Sequence, residues 1–317
     1  MNRKIILGGL LSIFTLAMSF ASAENQNSKQ EILVKITDAK AFMTVQTSLQ
    51  NLGSKSELLT EQWVLVKMPK TRAASVMKAL EADEGVELIQ PNYPIHLLED
   101  YSSQDRLRNA ALKKSLERLN GRVNPPDNPA IPAAPQTSTG VADPLFAKQW
   151  GMLDSGVKDA WKVTMGDPNM IVAVIDTGVD YTHEDLLPNM WRNTNEIPDN
   201  GIDDDNNGYV DDVIGWDFSS NDNKPYDFKG SANPGHGTHC AGNVAARGFN
   251  GTGIAGVAPL VKIMALRFIG EKGQGTTADA IKAIKYAVDN GAKVLSNSWG
   301  SEGEDPNEGT QNQALRD

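Results

Sequence analysis

Two of the four histidines and the only cysteine of this 317-residue chain lie within five residues, in the stretch PGHGTHCAG at 234–242. On a helix, His236, His239 and Cys240 fall at i, i+3 and i+4, so their side chains share one face. Three kinds of chemistry use these residue types. They are a zinc site with Asp176 as a fourth ligand, a cysteine nucleophile with His236 as its base, and a catalytic histidine beside two bystanders.

Asp176 ends the apolar run MIVAVID and is followed by Thr177 and Gly178. A carboxylate at the end of a buried strand is shielded from water. It is costly there unless a cationic or hydrogen-bonding group compensates it. The imidazole of His236 is a suitable partner. An aspartate that caps the next turn is the alternative interpretation, and the motif alone leaves both open.

The acidic residues are concentrated in one stretch. Between Glu196 and Asp227 there are ten carboxylates and a single lysine, and the rest of the chain is close to neutral. This distribution does not favour nucleic-acid binding; it predicts a bound hard cation. DDDNNGYVDD (203–212) follows the pattern of an EF-hand-like loop, except that Ile214 occupies position 12 in place of glutamate. The predicted Ca²⁺ ligands are Asp203, Asp205, Asn207, Tyr209 through its carbonyl, Asp211, and Asp212 as a substitute for the missing glutamate.

The elements that position these groups have an α/β rhythm. The apolar runs 170–176, 261–267 and 293–298 are typical of strands buried on both faces of a parallel sheet. Helical spacing between the last two, with Thr277 as the expected N-cap, predicts a βαβ crossover. We therefore predict a mostly parallel sheet flanked by helices. Functional groups of such sheets gather beyond the carboxyl ends of the strands, where Asp176 stands.

The organisation of the chain has four predicted parts. Residues 1–23 have the basic start, apolar stretch and Ala-Ser-Ala end of a secretory signal peptide. A small α+β domain is predicted at 24–99 and a Pro-rich linker at 100–142, before the α/β segment 143–317. After signal cleavage we expect no membrane anchor, and a location in the periplasm or outside the cell. One cysteine cannot form a disulfide within the chain, so Cys240 is expected to be a free thiol.

Four motifs resemble those of one protein family. They are VIDTGVDYTHEDL (174–186), HGTHCAG (236–242), GIAGVAP (253–259) and SNSWG (296–300). In sequence and order they are similar to the motifs of the subtilisin-like serine proteases, the subtilase or peptidase S8 family. The resemblance implies that Asp176 is the acid and His236 the general base of a Ser-His-Asp triad. It makes His239 a structural residue and Cys240 a thiol packed under the catalytic ring.

The same resemblance implies further sites and partners. Substrates would be proteins or peptides, and residues 24–99 would be an inhibitory propeptide that blocks the enzyme before maturation. One side of the substrate cleft would be Ser298, Trp299 and Gly300, and the other would include Gly273 and Gly275. A second Ca²⁺ site would join Asp143, Asp185 and Asn250.

One part of the family pattern is not found in these residues. The glycine-threonine-serine segment that carries the nucleophile and the asparagine that holds the oxyanion have no match. We therefore expect an incomplete subtilase, truncated at Asp317, that is made as a zymogen and is inactive as a 317-residue chain. Two alternatives stay open: a non-catalytic subtilase-like binding protein, and a zinc hydrolase that uses His236, His239 and Cys240.

Overall fold

The computed structural model describes residues 29–97, 142–226, 235–270, 272–300 and 312–317. The expected signal peptide and nearly all of the expected linker lie outside the described residues. The chain divides into two compact units, one made of residues 1–93 with 303–317 and the other of residues 94–302. Each unit is described by itself.

The first unit contains an antiparallel sheet with the strand order β2-β3-β1-β4. Its elements are β1 (Lys29–Ile36), α1 (Ala39–Asn51), β2 (Lys55–Leu58), β3 (Trp63–Pro69), α2 (Ala73–Ala82) and β4 (Val86–Pro91). The apolar faces of the two helices, through Val45 and Val76, share one buried cluster with Val34 and Val66 of the sheet. This is the small α+β unit that the sequence predicts, with β2 as an additional edge strand.

The second unit contains a parallel sheet with the strand order β10-β6-β8-β7. A separate antiparallel sheet has the order β11-β5-β9. The strands are β5 (Pro94–Leu97), β6 (Ile171–Asp176), β7 (Gly215–Asp217), β8 (Lys262–Arg267), β9 (Gln274–Thr276), β10 (Val294–Ser296) and β11 (Trp299–Gly300). The helices are α3 (Trp150–Asp154), α4 (Val157–Ala160), α5 (His236–Ala245) and α6 (Thr277–Asp289). The predicted α/β class is confirmed.

The core of the second unit lies on the central strands β6 and β8. Val174 and Ile263 are fully buried there and pack in one cluster with Ala241 and Ala245 of α5. The small residues of α5 bring its backbone close to the sheet. None of the helices in the described part of the chain has both the length and the apolarity needed to cross a bilayer.

The N-cap residue of α6 differs from the prediction. Thr276, and not Thr277, is the N-cap, and its Oγ1 accepts a hydrogen bond from the backbone N–H of Asp279 at 3.2 Å. Thr276 has the extended backbone that a capping residue needs, whereas Thr277 is already the first helical residue. The cap joins β9 directly to α6, so the strand and the helix form one continuous element.

Candidate active site

Asp176 is the last residue of β6 and is completely buried. Strands pair with β6 on both sides, and the Trp299 indole Nε1 donates a hydrogen bond to the Ile175 carbonyl at 2.7 Å. The carboxylate Oδ1 accepts from the backbone N–H of Thr177 at 2.7 Å. Oδ2 has no hydrogen-bond partner among the described residues. The carboxylate is thus rigidly held, and its charge needs a partner nearby.

His236, the first residue of α5, supplies that partner. Its Nδ1 lies 2.6 Å from Asp176 Oδ1, and the side chain is 5 % exposed. Gly235, at φ 88°, turns the chain into the helix, and the Gly237 N–H donates to Thr177 Oγ1 at 3.0 Å. The two short contacts hold the helix start against the end of the strand. Since Nδ1 faces Asp176, Nε2 is the ring nitrogen able to take a proton from a nucleophile.

Burial lowers the pKa of His236, but the hydrogen bonds to Asp176 and Cys240 and the charge of Asp176 outweigh it, so the pKa is raised above 6.5. The ring is therefore more basic than a free imidazole, because the carboxylate stabilises its protonated form. Because the pKa is higher in the folded chain than in the unfolded one, protonation stabilises the fold. This contribution is complete below about pH 6.5 and disappears as the pH rises through the folded-state pKa.

The exchange Asp176→Asn should lower the pKa of His236 below its wild-type value, because burial then acts without the opposing carboxylate. Ring-proton NMR titration of the 317-residue chain measures this shift. His239 is the internal control, since its ring is exposed and contacts Asn243. An unchanged His236 titration would contradict the assigned pairing.

Cys240 is half-buried, and its Sγ lies 4.0 Å from His236 Nδ1. The thiol also donates to Ser298 Oγ at 3.5 Å. The sulfur thus approaches the nitrogen that already bonds Asp176, and not Nε2. This geometry disfavours Cys240 as a nucleophile activated by His236. It also places Cys240 against the ring, where the resemblance puts it.

The zinc alternative depends on three side chains of α5. The potential ligand atoms that lie within 4.8 Å of one another belong to Asp176, His236 and Cys240. His239 points its ring toward Asn243 Nδ2, at 3.3 Å, and is exposed. With Nδ1 held by Asp176, the cluster lacks the two imidazole ligands that the zinc interpretation requires.

The predicted cleft residues flank a strand from the N-terminal part of the chain. β5 lies between β9 and β11, antiparallel to both. Ile95 pairs with Gly275, and His96 pairs with Gly300. The Ile95 side chain is 1 % exposed. Trp299 packs edge-on against Phe268, with ring centroids 5.0 Å apart. An extended peptide is thereby held by main-chain pairing on both edges, with one side chain buried.

Two other predicted cleft residues line the same region. Gly273 adopts a positive φ of 71° and closes a turn by donating to the Gly270 carbonyl. A Cβ at Gly275 would lie 2.7 Å from the Phe268 ring, so the backbone of β9 packs directly on that ring. Ser298 is half-buried beside Cys240.

The acidic loop, residues 196–212, brings a set of carboxylates together. Oxygens of Glu196, Asp203 and Asp205 lie within 4.8 Å of one another. Glu196 is buried, and its pKa is raised by burial against the lowering effect of backbone hydrogen bonds from residues 204, 205 and 211. Glu196 was missed by sequence reasoning because it precedes the ten-residue motif. Its position within the acidic stretch was the available signal.

The remaining predicted ligands of this loop have different surroundings. Asp211 has a positive φ of 55°, and its carboxylate accepts from the N–H groups of Asn200 and Gly201. Asp212 is completely buried and accepts from the Asn193 and Asn207 amides. Asn207 Oδ1 accepts the N–H of Tyr209 at 2.8 Å. These contacts shape the loop around the three clustered carboxylates.

The second predicted Ca²⁺ set is also assembled. Asp143 and Asp185 are both buried, and the Asn250 amide donates to Asp185 Oδ1 at 2.9 Å. Asp143 accepts from the N–H groups of Phe249 and Asn250, and Asp185 from that of Ile254. Burial raises the pKa of Asp185, and the charge of Asp143 adds to this shift. The carboxylates of Asp143 and Asp185 and the amide of Asn250, from distant segments, thus lie together.

The comparisons with known proteins agree with this geometry. The sequence profile of the "Subtilase family" matches residues 167–317. A thermophilic serine proteinase of Bacillus sp. (strain AK1) is 41% identical over 152 residues, which are 48% of this chain and 31% of that protein. Thermitase of Thermoactinomyces vulgaris is 39% identical over 159 residues, which are 50% of this chain and 47% of thermitase. This chain therefore spans less than half of each relative.

A solved structure extends the likeness. Fervidolysin from Fervidobacterium pennivorans, a keratinolytic enzyme related to subtilisin, superposes with a TM-score of 0.55 at 26% identity. The superposition covers 88% of this chain and 37% of fervidolysin. Such coverage exceeds the segment 167–317, so the likeness includes residues of the N-terminal part.

Proposed function

Since residues 167–317 of this chain form a domain of the subtilase family, we propose that the protein is a secreted serine endopeptidase in which Asp176 and His236 are the acid and the base. The observation that carries the proposal is the 2.6 Å contact between His236 Nδ1 and the buried Asp176 carboxylate. In a Ser-His-Asp triad, the carboxylate fixes the imidazole in one tautomer and stabilises its protonated form. The stabilisation of the protonated form agrees with the raised pKa of His236.

In the proposed reaction, His236 first accepts a proton and then donates it, and Asp176 supports both steps. His236 Nε2 takes the proton of a serine hydroxyl as that oxygen attacks the peptide carbonyl, and then returns it to the leaving amine. Asp176 keeps its negative charge throughout. The serine and its oxyanion donors are proposed to come from sequence that is not among these 317 residues. The 317-residue chain is accordingly proposed to be inactive.

We further propose that residues 24–99 act as an intramolecular inhibitor of a zymogen. The pairing of β5 with β9 and β11 supports this proposal, because a substrate would add a strand in the same way. The tail of the N-terminal segment therefore occupies the edges that a protein or peptide substrate would use. Secretion is proposed from the N-terminal residues 1–23, which carry the pattern of a signal peptide.

The product of the complete reading frame that contains this sequence should react with a fluorophosphonate probe and hydrolyse casein. The probe labels an activated serine, so labelling tests the proposed class of nucleophile directly. The 317-residue chain is the control and should remain unlabelled. Casein hydrolysis that resists the probe but is lost with a zinc chelator would favour the zinc hydrolase instead. A folded product without either activity would favour the non-catalytic binding protein.

Structural Ca²⁺ is proposed at two positions. Glu196, Asp203 and Asp205 offer an all-oxygen donor set, which suits a hard cation. Asp143, Asp185 and Asn250 offer a second one. Glu196, Asp143 and Asp185 are buried, Asp203 and Asp205 are half-buried, and a divalent cation would offset the repulsion between the carboxylates at each position. Bound there, Ca²⁺ would supply structural cross-linking and no step of the reaction.

Removal of Ca²⁺ by EGTA should lower the stability of the 317-residue chain. At about ten times the dissociation constant, each bound ion contributes about 1.4 kcal/mol to the free energy of unfolding. Thermal unfolding with and without Ca²⁺ measures the effect. Asp205→Asn should reduce the stabilisation, whereas Asp289→Asn, an exposed residue paired with Lys285, should leave it unchanged. A melting temperature that is independent of Ca²⁺ in the wild type would refute the proposal.

A further inference from the structure

Tyr286 connects helix α6 to the acidic loop. Its side chain is 2 % exposed, and its hydroxyl donates to Asp212 Oδ2 at 2.6 Å. The two residues are 74 positions apart in the chain. Asp212 is completely buried and carries no contact with a lysine or arginine in the described residues. The tyrosine hydroxyl is thus one of the few donors that compensate this carboxylate.

The other donors to Asp212 lead to the clustered carboxylates. Asn193 Nδ2 donates to Asp212 Oδ1 at 2.7 Å and to Asp205 Oδ2 at 2.9 Å. Asn207 Nδ2 donates to Asp212 Oδ2 at 2.9 Å and to Asp205 Oδ2 at 3.2 Å. Each amide nitrogen has two N–H donors, so both amides are fully used between the two carboxylates. Asp212 therefore orients the groups that orient Asp205.

Aromatic packing forms a second connection between the same elements. The Tyr209 ring, in the acidic loop, lies edge-on to the Tyr286 ring with centroids 5.0 Å apart. Tyr209 also packs edge-on against Trp216 of β7 at 5.0 Å and against Phe218 at 5.8 Å. Pairs in this geometry contribute about 0.5–1.5 kcal/mol beyond the burial of their area. The loop thus rests on α6 through a ring and through a hydrogen bond.

We infer that Tyr286 is a positioning residue for the cation site of the acidic loop, and that cation binding to the loop and the order of α6 are coupled through Asp212. The inference depends on the Ca²⁺ proposal made above. Partners that orient the ligands of a metal commonly change its affinity by about 10–100-fold when removed. Coupling between two sites is reciprocal, so a cation that binds the loop must stabilise the arrangement of α6 that favours binding.

The proposed coupling between the acidic loop and α6 also extends to the substrate cleft. α6 begins directly after β9, and Thr276 is both the last residue of that strand and the cap of the helix. β9 pairs with β5 through Ile95 and Gly275. A cation in the acidic loop would therefore stabilise the helix whose first turn anchors one edge of the peptide-binding sheet.

The first test measures cation affinity in the full 317-residue chain. Tb³⁺ luminescence, excited through the aromatic cluster and displaced by Ca²⁺, reports on the loop, and its loss in Asp205→Asn identifies the signal. Tyr286→Phe removes only the hydroxyl and should raise the dissociation constant about 10-fold. Tyr226→Phe is the matched control, because Tyr226 is half-buried and its hydroxyl bonds Thr182 and Asp180 instead of the loop. Its affinity should equal that of the wild type.

The second test uses the wild type and so does not depend on the folding of a variant. Hydrogen exchange of the peptide that covers Tyr286 to Asn290 should slow when Ca²⁺ is added, whereas the peptide covering α1 should not change. If the loop binds the cation but Tyr286→Phe binds it equally well and α6 exchange is unaltered, the inference is wrong and the Ca²⁺ site stands. If the wild-type loop binds neither Tb³⁺ nor Ca²⁺, both fail. If Tyr286→Phe does not fold, the exchange result alone decides.

Discussion

His236→Ala, made in the product of the complete reading frame, should lower kcat/KM for peptide hydrolysis on the order of 10⁴-fold or more. Without the imidazole, the serine proton has no acceptor and the leaving amine has no donor. A subtilisin is among the enzymes from which this magnitude is known, so we take it as the scale of the effect and not as a derived value. The measurement is steady-state cleavage of a chromogenic peptide.

The same helix provides the matched control. His239 lies one turn further along α5, is exposed, and bonds Asn243 instead of Asp176. His239→Ala should leave kcat/KM within about twofold of wild type, since exposed positions tolerate substitution. If His236→Ala cleaves the peptide as fast as His239→Ala, the assignment of the base is wrong. If both are inactive, the cluster of α5 acts as a unit, as a metal site would.

The central strands β6 and β8 are predictable because they are buried on both faces. The prediction of a strand buried on both faces is wrong for β10, which lies at the edge of the described sheet and has Val294 51 % exposed. The apolar runs that become β6 and β8 are continuous and do not alternate with polar residues, because neither face of these strands is exposed to solvent. β7 is different, because Gly215–Asp217 is three residues long and lies within the acidic stretch. Its pairing with β8 is decided by tertiary contacts. β2 also escapes prediction, since its four residues are mainly exposed and show no apolar pattern.

The candidate site also has one part that local sequence predicts and another that depends on tertiary contacts. Asp176 and His236 belong to motifs that resemble a family, so their roles follow from local sequence. Their 2.6 Å approach does not, because it depends on how α5 packs on β6. The contacts of the acidic loop are even harder to predict from the sequence. Glu196 lies outside the motif that marks the loop, and Tyr286 meets Asp212 across 74 residues. No local pattern encodes a hydrogen bond between such distant positions.

The close packing of α5 on β6, which brings His236 to Asp176, depends on a glycine at position 237. Gly237 is the second residue of α5, and a Cβ there would lie 2.1 Å from the Gly178 carbonyl oxygen. The same Cβ would lie 3.1 Å from Asp176 Cβ and 3.2 Å from Asp176 Oδ1. The first contact is with backbone, which cannot move aside as a flexible side chain can. A methyl group would therefore force the helix start, and His236 with it, away from the strand.

Gly237→Ala should consequently destabilise the second unit by about 3 kcal/mol, the upper end of the usual range for overpacking a core. Urea unfolding of the 317-residue chain, followed by tryptophan fluorescence, measures the loss, because five of the six tryptophans lie in residues 94–302. Gly242→Ala, five positions further along the helix, is the control. A Cβ there meets only Ile254 Cδ1 at 3.5 Å. The control should therefore be neutral or stabilising by up to about 1 kcal/mol, as expected for alanine in a helix. If the two variants unfold at the same urea concentration, the close approach of α5 to β6 is not what positions His236, and the geometry of the catalytic pair needs another cause.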